Sequence, residues 1–195
     1  MTHRIALLGW GSLLWEGGAE FDAWHEPWHH DGPFLPLEFS RISRTRGGAL
    51  TAVIDPEHGV PVRVAWCLSR RAAVAQAVED LRARERTAAR WIGWIAPTGA
   101  GSGRDAESRD AVRAWAAERG FDAAVWTDLP SNFAEQAGAP FSVPAAIAYL
   151  RRLDAPARAG ALDYIRQAPA FLATPLRAAM GREFALDPAP PAPNA

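Results

Sequence analysis

The chain has 195 residues, 49% of them apolar and nine of them Trp, with a formal net charge of −1. That composition excludes a disordered chain, and the near-neutral balance leaves no electrostatic case for nucleic acid or a membrane surface as partner. Every basic side chain apart from His is Arg, so Schiff-base chemistry, a Walker-type lysine and a lysine general base are excluded as well.

The first expected strand covers 4–9 and continues as Gly9-Trp10-Gly11-Ser12-Leu13-Leu14-Trp15. A strand interrupted by Gly allows two readings. Its main-chain N–H groups face a ligand, with Ser12 adding a hydroxyl, or the chain bulges or turns. A loop is expected over 16–33. Three strands follow at 34–45, 49–54 and 60–68. In the last of these Val62, Val64, Trp66 and Leu68 alternate with Arg63, Ala65 and Cys67.

A helix is expected over 70–85 with Ser69 as its N-cap. After it come a strand over 90–96, a loop over 97–103, a helix over 105–119 ending at Gly120, and a short buried strand over 123–126. Helices at 143–153, 156–167 and 175–181 complete the ordered chain, each bounded by Pro or Gly. Strands early and helices late are the pattern of an α+β domain, expected over 1–186, and the Pro-rich stretch 187–195 is expected to be a disordered tail. Cys67 stands alone, which fits a reducing cytoplasm. The N-terminal apolar run lacks a small-residue cleavage site and is too short to cross a bilayer.

Val74, Val78 and Leu81 form one stripe of the helix at 70–85, and position 85 falls on the same stripe. Glu85 is therefore either a partly buried carboxylate suited to general-base work or, if the helix stops near Leu81, a solvated surface acid. Arg82, Arg84 and Arg86 flank it.

These two segments together resemble the ChaC-type branch of the gamma-glutamyl cyclotransferase-like superfamily. Gly9-Trp10-Gly11-Ser12-Leu13-Leu14-Trp15 is similar to its Tyr-Gly-Ser-Leu-Ile-Trp opening. Leu81-Arg82-Ala83-Arg84-Glu85, preceded by the strand Val62-Arg63-Val64-Ala65-Trp66-Cys67-Leu68 and a helix, is similar to its Leu-Asp-x-Arg-Glu segment. Trp10 stands in place of the Tyr, Arg82 or Ala83 in place of the Asp, and Thr87-Ala88-Ala89 in place of a Gly-Tyr that commonly follows the Glu. The resemblance covers about 4–96.

It implies a small mixed β-barrel with flanking helices and a helical C-terminal half. It also implies a substrate loop formed by Trp10, Gly11, Ser12 and Leu13, with Glu85 as general acid/base. The implied reaction cyclises a small-molecule gamma-glutamyl compound to 5-oxoproline and needs no cofactor and no metal. The alternative is a non-catalytic member of the same fold that binds a small metabolite or a protein.

Other candidates follow from the residues themselves. One of Arg41, Arg44 and Arg46 is suited to hold a substrate carboxylate bidentately, Arg44 being the preferred one, against a solvated strand edge. Asn132 lies among turn-formers beyond a strand end, as a pocket-rim residue or a loop residue. His25, His29 and His30 read as a metal cluster or as a Trp-rich loop at a site mouth. Ser12 as a hydrolytic nucleophile has no His or Asp partner set by the sequence. The apolar faces of 146–153 and 157–165 close within the chain or pair with a second copy as a homodimer.

Overall fold

The computed structural model describes residues 3–96 and 98–186; the tail expected at 187–195 lies outside them. Among the described residues the strands are β1 (Ile5–Gly9), β2 (Phe34–Ser43), β3 (Ala49–Ile54), β4 (Val60–Arg63), β5 (Ala65–Ser69), β6 (Ile92–Ile95), β7 (Gly101–Ser102) and β8 (Ala123–Thr127). The helices are α1 (Ala19–Asp22), α2 (Val74–Glu85), α3 (Ala106–Glu118), α4 (Phe133–Ala137), α5 (Val143–Arg152), α6 (Ala155–Gln167) and α7 (Pro175–Phe184). The chain is α+β. It divides into two compact units, one from residues up to 35 with 63–129, the other from 36–62 with those from 130 onward.

The first unit holds a mixed sheet in the order β5-β1-β8-β6-β7. β1 runs antiparallel to β5 and parallel to β8, with Leu7 opposite both Cys67 and Val125. All five residues of β1 are buried, as a strand covered on both faces requires, and this explains its uninterrupted apolar run. On one face Ile5, Leu7, Cys67, Ile92 and Val125 pack with Ala77 and Leu81 of α2. Each Ile, Leu or Val among them, fully buried, contributes about 1.5–3 kcal/mol. On the opposite face Trp66 meets Trp115 of α3 edge-on at 5.9 Å and Phe121 at 4.8 Å. Gly93 lies opposite Trp126, and a Cβ there would stand 2.2 Å from the indole, so only Gly fits.

The outer edge of β5 is covered. His29 and Trp66 exchange backbone hydrogen bonds of 2.7 and 2.8 Å, and Glu26 N donates to Leu68 O at 2.9 Å. The segment expected as a plain loop over 16–33 thus contains α1 and a run that saturates an exposed strand edge.

The second unit holds a three-stranded sheet in the order β3-β2-β4 with a bulge between Glu38 and Arg41. Its three long helices begin at Ser142, Asp154 and Thr174, each accepting from a backbone N–H three residues on, with Pro in the first turn. α6 packs on β3, and α5 on α7. Ala146, Leu150, Ala161 and Ile165 are buried within the chain.

Three expectations change. The ladders form two open sheets, and among the described residues none closes into a barrel. The strand at 60–68 is two strands, because Val64 N leaves the ladder for Pro33 O at 3.0 Å. Val64 and Ala65 are both fully buried there, which breaks the alternation and turns Cys67 inward. Ser69 does not cap α2. Its hydroxyl accepts from Arg71 N at 3.2 Å, and the helix starts at Val74 with no side-chain cap. No helix of the described residues is long and apolar enough to cross a membrane.

Candidate active site

In open sheets with helices on both faces, ligands bind beyond the carboxyl ends of parallel strands. β1 and β8 are the parallel pair of the first unit, and the Gly-rich segment leaves the carboxyl end of β1. Gly9 is needed there for packing. A Cβ at Gly9 would stand 2.8 Å from the Trp28 ring. Trp10, Ser12 and Leu13 are buried, and Ser12–Leu14 form a single 3-10 turn. Leu14, Trp15 and Glu16 donate the turn's own hydrogen bonds to Gly11 O and Ser12 O, whereas the N–H groups of Gly11 and Leu13 take no part in them.

α2 climbs to the same end of the sheet. Of the two readings of its length, the longer holds: Glu85 is its last residue, half-buried, one turn beyond the fully buried Leu81. The helix is closed by Arg86 in the left-handed region at φ 49°. Only one other non-Gly residue among the described ones, Ala185, has a positive φ. Such a conformation costs on the order of 1–3 kcal/mol, and strain of this kind gathers at functional sites.

Arg84 joins the two segments. Its Nη2 donates to Glu16 O at 2.6 Å and lies 3.5 Å from Ser12 O. Arg82 turns away to Glu79 at 2.7 Å and to Thr87 O at 3.2 Å. The Gly11-Ser12-Leu13 turn and the Glu85 end of α2 are therefore neighbours within one unit.

Asp128, just past β8, is also buried. Its carboxylate accepts from Arg104 N at 2.6 Å, while burial pushes its pKa up.

Arg44 and Asn132 belong to the other unit. Arg44 is exposed, and its Nε and Nη2 donate to Gln136 Oε1 at 3.4 and 3.2 Å. Asn132 pairs both ends of its amide with the Ile42 backbone, accepting at 2.8 Å and donating at 3.1 Å, which ties the start of α4 to β2. Arg41 donates to Pro130 O at 2.7 Å, and Arg46 lies over the Tyr164 ring. An open groove of about 390 Å³ between α5 and α7, lined by Val143, Ile147, Ala179 and Glu183, contains none of the expected site residues.

His25 sits among Phe21 and Trp28 with its Nδ1 2.6 Å from Glu26 O, and His29 stacks on Trp66. Among the described residues no three His, Cys, Asp or Glu side chains are grouped as a metal ion needs. Cys67 is fully buried in the core, and burial pushes its thiol far up.

In the sequence Arg84 shows only as one of three arginines that flank Glu85. Its partners are backbone carbonyls 68 and 72 residues away, and no local pattern marks such a bond. Trp28 is likewise marked in the sequence only by the glycine it requires at position 9. Comparison with protein-family models, curated proteins and solved structures gave no match to this chain.

Proposed function

We propose that the protein is a gamma-glutamyl cyclotransferase-like enzyme that converts a gamma-glutamyl compound to 5-oxoproline and releases an amine or amino acid. The observation that supports this most is the Arg84 bridge, which holds the Glu85 end of α2 against the Gly11–Glu16 turn. A carboxylate and a set of backbone N–H donors then share one end of one sheet, the two parts this chemistry requires.

The substrate carries its own nucleophile, so the enzyme's first task is to fold it. Glu85 takes one proton from the α-ammonium, and the freed nitrogen attacks the γ-carbonyl carbon. The carbonyl oxygen gains negative charge and receives hydrogen bonds from the N–H groups of Gly11 and Leu13. A new N–C bond closes the lactam as the original amide C–N bond breaks. The ring nitrogen sheds its second proton, and both protons end on the leaving nitrogen, which departs as an ammonium group. We place this activity in the cytoplasm, where a single buried thiol stays reduced.

The test is 5-oxoproline release from a panel of gamma-glutamyl amines, peptides and glutathione, wild type beside Glu85→Gln, with circular dichroism on both. Release that vanishes in the variant while the fold persists is expected. Release unchanged by the substitution removes Glu85 from the mechanism. No release from any compound by folded wild type leaves the non-catalytic binding reading in its place.

A further inference from the structure

Thr127 ends β8, facing Ile92 across the β6 ladder. Ile92, Ala123 and Val125 all belong to the core beneath α2, so the two-residue period of the strand turns Thr127 to that face too. The parallel ladder ends on the pair Leu7 and Val125, two residues short of Gly9 on one strand and of Thr127 on the other. Thr127 therefore stands at the end of the sheet where α2 finishes at Glu85 and the Gly-Ser-Leu turn begins.

Its Oγ is buried and has no hydrogen-bond partner among the described residues, although the residue as a whole is partly open to solvent. Buried hydroxyls are almost always satisfied, so one that is not asks for a partner. Other buried polar atoms lack partners too, but none shares this face and this end. Ser108, Trp115 and Trp126 lie on or against α3, while Ser40 and Asp55 belong to the second unit. A χ1 step of about 120° moves the Thr127 hydroxyl to another staggered position about Cβ, on a residue that is partly open to solvent. That step breaks no existing side-chain hydrogen bond.

We infer that Thr127 Oγ donates to the α-carboxylate of the gamma-glutamyl group, beside the ammonium that Glu85 deprotonates; this rests on the cyclotransfer reading above. Arg44, the carboxylate partner expected from sequence, has its guanidinium on Gln136. A hydroxyl is suited to this task. It orients the carboxylate without adding a positive charge that would compete for the Glu85 carboxylate.

The experiment crosses two proteins with two ligands. Wild type and Thr127→Val are assayed with gamma-glutamyl-L-alanine as substrate and 4-aminobutanoyl-L-alanine, which lacks only the α-carboxylate, as competitive inhibitor. In the variant the KM for gamma-glutamyl-L-alanine should rise about tenfold, while the inhibition constant of the analogue stays within twofold. Thr127→Ser should restore the KM. Equal changes for both ligands, or for neither, overturn the assignment while leaving the cyclotransfer reading standing. No 5-oxoproline from wild type removes that reading, and the Thr127 assignment with it.

Discussion

Arg84 Nη2 and the carbonyl oxygen of Glu16 are joined by a 2.6 Å hydrogen bond across 68 residues of chain. A guanidinium on a main-chain oxygen makes a charge-assisted bond, which fixes both the turn and the helix end. Arg84→Ala should lower the unfolding free energy by about 1.5–3 kcal/mol in urea titrations. It should also reduce 5-oxoproline release beyond what the lost stability explains. A variant with wild-type stability would show that the bond does not organise the turn.

Arg86 supplies a second prediction. It holds φ 49° with an exposed side chain, in a region where an L-residue is disfavoured by about 1–2 kcal/mol. Arg86→Gly removes that strain at the cost of greater freedom in the unfolded chain. The net gain should be roughly 0.5–1 kcal/mol, read as a higher urea midpoint at unchanged slope. A lower midpoint would mean that the arginine side chain itself contributes to the cap.

Glu38 in the second unit predicts a pH dependence. It is 1% exposed, and burial pushes its carboxyl above the ordinary value of 4.5. The N–H groups of Phe39 and Leu176, with the Thr174 hydroxyl, pull the other way and do not win. The folded state therefore binds the proton more tightly than the unfolded state, and this group's contribution to stability grows as pH falls through the raised value towards 4.5. The advantage of wild type over Glu38→Gln in denaturant titrations should accordingly increase between pH 7 and pH 5. A difference that is flat, or that shrinks with acid, contradicts the assignment.

What the sequence disclosed was local. The helices expected at 143–153, 156–167 and 175–181 are found at 143–152, 155–167 and 175–184, and they were legible because the prolines at their starts act within one turn. The strands at 5–9 and 123–127 were legible from unbroken apolar runs. Ser69 misled because a serine before a helical pattern can cap a helix or close a turn with equal ease, and here it takes Arg71 N. The split at Val64 was hidden because valine, alanine and tryptophan fit either face of a strand. On the site, the helix reaching Glu85 and the turn at Ser12 were readable from spacing. Arg84 on Glu16 was not, since it depends on which distant segments become neighbours.

The way the chain passes between the two units also sets an order of events during synthesis. Residues 34–63 supply the sheet β3-β2-β4, with Leu37, Phe39, Leu50 and Ile54 among its buried residues, yet the helices of that unit begin only after residue 130. At roughly 5–20 residues per second, the ribosome leaves this sheet without its helices for on the order of several seconds, with its apolar face uncovered. The first unit cannot close in that interval either, because β8, which joins β1 to β6, is translated last among its strands. The nascent chain therefore presents an apolar sheet before either core is complete.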